Sequence, residues 1–228
     1  NDQLHIQMRE NGYKHEYRVG DGGHTGRYWR QCLKDVLPYL EVVFNGKSEW
    51  KAPEKSEDFR EKVTEMAGET IIFVAHYGMD KELVNKVIDM VSSTEGATTL
   101  KVVPCDVKKE SFEKTVRTWK KKHSFMDAQV IALGEAGREA YSLQNEFSRL
   151  YFDNADLLDD ESQLRAHPAK FWYISQTDDG PYYKDMGGLY KACKSSGASF
   201  QYRVRDGISD LEASTIEGIS ILKTYIIY

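Results

Sequence analysis

From residue 70 onward, short and nearly continuous apolar runs alternate with longer stretches of helical periodicity. The runs TIIFVAHY (70–77), TLKVVPCD (99–106), AQVIALGE (128–135), RLYFDNA (149–155), KFWYISQT (170–177) and SFQYRVRDG (199–207) are rich in β-branched and aromatic residues. A strand exposed on one face alternates apolar with polar, so continuous runs of this length predict strands buried on both faces. The intervening stretches 80–94, 110–123, 138–147, 183–197 and 210–227 carry apolar residues at helical spacing. Strand and helix alternating in this way predict βαβ units, a mostly parallel sheet and a layer of helices on each side. In such sheets function gathers at the carboxyl ends of the strands.

The first 68 residues read differently. A strand-like run at 16–19 leads into a Gly-rich loop carrying His24 and then into an amphipathic helix, whereas 46–68 is polar, charged and interrupted by Pro53, as a linker and short helix would be. Residues 11–22, NGYKHEYRVGDG, align without a gap with residues 196–207, SGASFQYRVRDG, and are identical at six of twelve positions. Chance identity over such a span is about one, so the pair counts as an internal repeat at an offset of 185 residues. This arithmetic divides the chain into 1–45, the last strand and helix of one domain, 46–68, a linker, and 69–228, a nearly whole second copy. The counterpart of His24 in that copy is Ser209.

Composition narrows the class. At 228 residues and 40% hydrophobic content the chain has enough apolar material for a folded soluble domain. Its net charge of −5 offers no basic face for nucleic acid or an anionic membrane. No apolar run approaches the roughly 20 residues needed to span a bilayer, and no signal peptide opens a chain that begins at Asn1, as a processed or truncated piece would. Cys32, Cys105 and Cys193 lie far apart without metal-ligand spacing and read as buried thiols. No cofactor or metal is called for.

The ending ENGYKHEYRVGDGGHTGRYWRQCLKDVLPYL (10–40) resembles that of the esterase branch of the α/β-hydrolase superfamily, the group of esterase D, S-formylglutathione hydrolase and related acetyl and feruloyl esterases. The resemblance implies a three-layer α/β-hydrolase-like fold and a triad in the order Ser, Asp, His, with the serine on a G-x-S-x-G turn between strand and helix. It makes His24 a triad base, against the plainer alternative of a surface-loop histidine. In the second copy, IIFVAHYGMD resembles the strand ending in an oxyanion loop, with His76 and Gly78 as its candidates. VIALGEAGREA stands where the nucleophile elbow belongs, which puts Glu135, or Ala136 after a shift of one residue, at the nucleophile's place and Gly137 on the last glycine. WYISQTDDGPYY resembles the strand end bearing the acid, Asp179 first and Asp178 second, although a DDGP turn alone explains both carboxylates. Ser209 stands where the base would be.

By this reading the second copy keeps an acid and has lost both nucleophile and base, since neither Glu135 nor Ala136 offers a hydroxyl or thiol. The expected function is that of a carboxylic-ester hydrolase relative, for acetyl or feruloyl esters of sugars, in which this chain is a non-catalytic module. The expected partners are a small-molecule ester or a carbohydrate, with a homo-oligomer or an upstream esterase domain as protein neighbours. A shuffled triad of His24, Asp179 and Ser175 or Ser209 lacks a serine on an elbow. Trp172, Tyr173, Tyr182, Tyr183 and Tyr190 could floor a sugar site, though packing is the commoner fate of such clusters. The alternative is a flavodoxin-like small-molecule binder, marked by a phosphate on the loop after Ala132.

Overall fold

The structure, a computed structural model, describes residues 2–13, 15, 17–20, 70–92, 100–123, 127–158, 160–178 and 180–205, with single positions 29, 32, 33, 36, 37, 40, 44, 215 and 216. The chain forms two units, one of residues 1–20 with 67–228 and one of residues 21–66. In the smaller unit the described positions are helical, and Trp29, Leu33, Val36, Leu37 and Phe44 are exposed.

The larger unit is built on a seven-stranded sheet. Its strands are β1 (Tyr17–Gly20), β2 (Thr70–His76), β3 (Leu100–Asp106), β4 (Asp127–Leu133), β5 (Arg149–Asp153), β6 (Phe171–Thr177) and β7 (Ser199–Arg205). They lie in the order β1-β7-β6-β5-β4-β2-β3, and every neighbouring pair is parallel except β1 with β7. The helices are α1 (Asp2–Glu10), α2 (Lys81–Ser92), α3 (Phe112–Lys122), α4 (Gly137–Ser142) and α5 (Tyr183–Ser196). The predicted strands and the parallel sheet are all present, and the helices over 80–94, 110–123, 138–147 and 183–197 follow their periodicity with one difference, whereas the stretch expected to be helical over 210–227 lies outside the described residues except for 215 and 216. The stretch expected to be helical over 138–147 ends at Ser142, and a 3-10 turn at Gln144–Glu146 follows it. Phe147 supplies the reason: it is fully buried with its ring 5.9 Å from Phe73 and 6.1 Å from Phe112, a position the continuing helix would not reach.

Burial on both faces explains the unbroken apolar runs. One face carries Ile71, Phe73, Val130, Ala132, Leu150, Phe152, Trp172, Ile174 and Val204 and packs under α3, α4 and α5. The other carries Ile72, Val74, Ile131, Leu133, Tyr151 and Tyr173 and is covered by Leu83, Val87 and Val91 of α2, with Ile216 against the same cluster. The layering follows from the crossovers. From β2 the chain passes through α2 to β3 at the sheet's edge, then returns through α3 to β4 on the other side of β2. Right-handed crossovers running in opposite directions place their helices on opposite faces. The reversal puts the topological switch point of the sheet between the carboxyl ends of β2 and β4, the place where ligands bind in open α/β sheets.

The amino-terminal segment belongs to this sheet. Tyr17 and Val19 of β1 pack into the core shared with α5, while α1 lies against α5 through polar groups. His5 stacks on Tyr17 with centroids 4.3 Å apart and bonds the Tyr183 hydroxyl at 2.8 Å. The Tyr17 and Tyr190 hydroxyls both donate to the carboxylate of Asp2, at 2.5 and 3.0 Å. The two repeated Tyr-Arg-Val segments are therefore neighbours, with Tyr17 opposite Val204, Arg18 opposite Arg203 and Val19 opposite Tyr202.

Candidate functional site at the carboxyl edge of the sheet

Beside the switch point, β2 ends in His76 and the chain turns through Tyr77 and Gly78, whose φ of +60° suits a residue without a side chain. The Gly78 N–H donates to Oδ1 of Asp106 at the end of β3 (2.9 Å), as does the Lys108 N–H (3.2 Å), and Lys109 Nζ lies 2.8 Å from Oδ2. Lys109 first, then the two amides, hold the Asp106 carboxyl down to about 2. His76 is buried, and burial lowers its pKa against the opposing pull of Asp106. Its Nδ1 makes no hydrogen bond among the described residues.

On the other side of the switch point, β4 runs into a 3-10 turn at Gly134–Ala136 and then directly into α4. This is a strand–turn–helix elbow in backbone terms. The left-handed residue is Gly134 at φ +56°, and Glu135 follows it on the exposed side of the turn. Gly137 is held by close approach instead: a Cβ there would lie 2.3 Å from the Asp156 carbonyl oxygen and 2.8 Å from Ala155 Cβ. The Asp156 N–H donates to the Gly134 carbonyl (3.0 Å) and the Asp156 carboxylate pairs with Arg138 (3.0 Å), so the loop after β5 clamps the elbow.

The ends of β5, β6 and β7 are joined by buried polar contacts. Asp153 and Arg205, both almost wholly buried, form an ion pair across the sheet. Asn154 takes a φ of 44°, a conformation that asparagine tolerates better than most residues. Its Oδ1 accepts from the Thr177 N–H (2.9 Å) and Oγ1 (3.2 Å), while its own N–H donates to the Ser175 carbonyl (2.9 Å). Gly180 packs so near that a Cβ would lie 2.6 Å from the same Asn154 Oδ1. Asn154 thus anchors the turn after β6 on which Asp178 sits half-buried, its N–H donating to the Arg205 carbonyl (3.1 Å). Tyr182 stands at the rim. Burial, and then the nearby Glu135 and Asp156 carboxylates, raise its pKa. Asp185 accepts from the Leu157 N–H (3.0 Å), and burial raises its pKa first of all.

Of the residues singled out in the sequence, His76 and Gly78, Glu135 and Asp178 stand at the carboxyl ends of β2, β4 and β6 of one sheet. His24, Asp179 and Ser209 lie outside the described residues. Ser175 is fully buried within β6. Trp172, Tyr173 and Tyr190 are core residues: Trp172 stacks on Phe152 at 6.0 Å and donates its indole N–H to the His167 carbonyl (3.2 Å). Only Tyr182 and Tyr183 of that group are partly exposed. Asp106, Asp153, Asn154 and Arg205 were not legible as site residues. A charged or amide residue closing an otherwise apolar strand, as in RLYFDNA, is the signal that marks two of them.

No protein-family model matches the chain, and no curated protein sequence matches it either. Solved structures do. A structure described as a ferulic acid esterase superposes with a TM-score of 0.50 at 12% identity, covering 70% of this chain and 85% of its own. The substrate-bound fluorophosphonate-binding serine hydrolase F of Staphylococcus aureus gives 0.52 at 12% identity, over 77% and 90%. The esterase domain of a Rhodothermus marinus protein gives 0.50 at 11% identity, over 73% and 87%. Likeness at these identities is likeness of fold, and with the parallel sheet and its two helical layers it gives this chain a three-layer α/β-hydrolase-like fold.

Proposed function

We propose that this chain is an esterase-like module of the α/β-hydrolase type that has kept the architecture of an acyl-transfer site and lost its chemistry. One observation carries the reading. The elbow after β4 retains its left-handed residue and its close-packed glycine, yet Gly134, Glu135 and Ala136 present neither a hydroxyl nor a thiol. Acyl-enzyme chemistry begins with such a nucleophile, and a base has no proton to take without one. The oxyanion side supports the same reading, because the Gly78 N–H is engaged by the Asp106 carboxylate rather than left for a developing charge.

In this role the carboxyl edge at the switch point binds a small-molecule ester or a carbohydrate without turning it over, and the module supports a catalytic neighbour. β1 closes the sheet of this chain, so what fits a second esterase domain is the loop bearing His24, with His24 as its base and the acid and serine supplied from upstream; Asp179 and Ser209 are then remnants of acid and base in this copy. The test is direct. Incubated with a fluorophosphonate probe, the chain should take up no label, and p-nitrophenyl acetate should disappear no faster than in buffer. Labelling of one serine that His24→Ala abolishes would overturn the reading and make this chain an esterase with a nucleophile outside the elbow.

A further inference from the structure

The edge of the sheet at β7 is covered by a strand that copies β7 itself. Tyr17-Arg18-Val19 and Tyr202-Arg203-Val204 are the same tripeptide, and they pair antiparallel about Arg18 and Arg203. That register is self-complementary. A second chain presenting its own β7 about a two-fold axis through Arg203 would set Tyr202 opposite Val204 and Val204 opposite Tyr202, the partners that Tyr17 and Val19 now provide. Side chains keep their faces in the exchange. Tyr17 and Val19 pack on the core under α5, Tyr17 edge-on to Tyr202 with centroids 6.1 Å apart, and a second Tyr202 and Val204 would enter the same places. Like charges opposite one another disfavour a strand pair, and the register already sets Arg18 opposite Arg203 as a second Arg203 would stand.

We infer that the β7 edge is a dimerisation surface for a second copy of this chain, which residues 2–20 occupy as an intramolecular stand-in. Open edges of this kind are templates for another strand, and covering them is a common protective device. Among the described residues the covering arm is held by the four-residue ladder, by Tyr17 and Val19 in the core, by Asp2 on Tyr190 and Lys194, by His5 on Tyr183 and by Arg9 over the Tyr183 ring at 3.6 Å. When β1 leaves, two β7 strands can join two seven-stranded sheets, each short of β1, into one continuous sheet, as in homodimers built on isologous contacts.

The test uses the full chain. Successive N–H groups of a strand point to opposite sides, so one of residues 18 and 19 donates toward β7, and the double variant Arg18→Pro/Val19→Pro removes it whichever it is. Light scattering after size exclusion should then give twice the 26.2 kDa of the single chain. With Arg203→Cys added, oxidised glutathione should link residue 203 to residue 203 of a second copy, identified in the peptide map. Without the proline changes that link should not form. A folded proline variant that remains a monomer, or one that dimerises without the 203–203 link, overturns the inference. Asp2→Ala/His5→Ala, which loosens α1 without altering any strand, must give the same mass and the same link. Loss of the fold in both variants also overturns it, because a sheet that cannot stand without β1 has no exchangeable edge.

Discussion

Replacing Gly137 by alanine tests whether the elbow is clamped as described. The added Cβ would meet the Asp156 carbonyl oxygen at 2.3 Å and Ala155 Cβ at 2.8 Å, where ordinary contact begins near 3.4 Å. Either α4 or the backbone at 155–156 must therefore retreat by about 1 Å, in an interior too densely packed to absorb it. The loop has little freedom to do so. Ala155 and Leu157 are fully buried, the Asp156 N–H is bonded to Gly134, and the Leu157 N–H is bonded to Asp185. Overpacking of this kind costs about 1–3 kcal/mol, and breaking one of those hydrogen bonds adds about 1 kcal/mol. The better helix propensity of alanine returns less than about 1 kcal/mol. A net loss of about 3 kcal/mol is expected, which lowers the urea midpoint by roughly 1 M at an m-value of about 3 kcal/mol/M. Gly187 is the internal comparison: it lies inside α5 with nothing within 4 Å of the place a methyl group would take, so Gly187→Ala should stabilise by about 0.5–1 kcal/mol. A Gly137→Ala protein within about 0.5 kcal/mol of the wild type would refute the clamp and with it the account of the elbow.

Further outcomes follow from the buried polar groups. Asp153→Leu leaves the Arg205 charge buried without its carboxylate and should cost about 3–5 kcal/mol in urea unfolding, whereas Asp153→Leu/Arg205→Leu should recover at least half of that loss. His5 has its pKa lowered by burial, then by His15 and Arg9, with Asp2 opposing. The unfolded chain therefore binds the extra proton first, and the arm's contribution to stability, complete above about pH 6.5, should fall as pH drops below that value. His5→Gln should flatten this dependence between pH 7 and 5. Asp106 runs on the opposite limb of the pH scale: held down to about 2, its contribution is present above its ordinary carboxyl range and is lost as pH falls from about 4 toward 2. Asp106→Asn should reduce the acid-side slope of the unfolding midpoint across the same range, the remainder coming from Asp2, Glu146 and Asp160, whose carboxyls are also held down.

The parallel sheet was legible in the sequence because burial on both faces writes itself as unbroken apolar runs, and six runs became β2 to β7. What pairs with what was not. The repeat of Tyr-Arg-Val marks two strands of equal facial pattern, but their pairing with each other depends on α1 docking against α5 through His5 and Asp2, contacts spanning more than 170 residues. The end of the helical stretch over 138–147 was not legible for a related reason, since the burial of Phe147 between Phe73 and Phe112 is decided by residues far along the chain. At the site, the ends of the runs located His76, Gly78, Glu135 and Asp178 at the carboxyl edge. The ion pair of Asp153 with Arg205, 52 residues apart, leaves no local trace. The aromatic cluster was visible as composition only, and the alternation of β6 sends Trp172 and Tyr173 to the two opposite cores.

The elbow shows why an α/β-hydrolase-like fold and its chemistry separate so readily. Its backbone is set by Gly134, which needs the left-handed region, and by Gly137, which needs the space beside Asp156. Neither requirement involves the residue between them that faces outward. Glu135 is exposed and makes no contact on which the clamp depends, so any side chain can stand there while the sheet, the turn and α4 remain as they are. On the reading proposed above, a hydroxyl at this turn would serve the reaction alone, and the glycines would stay without it because the packing holds them.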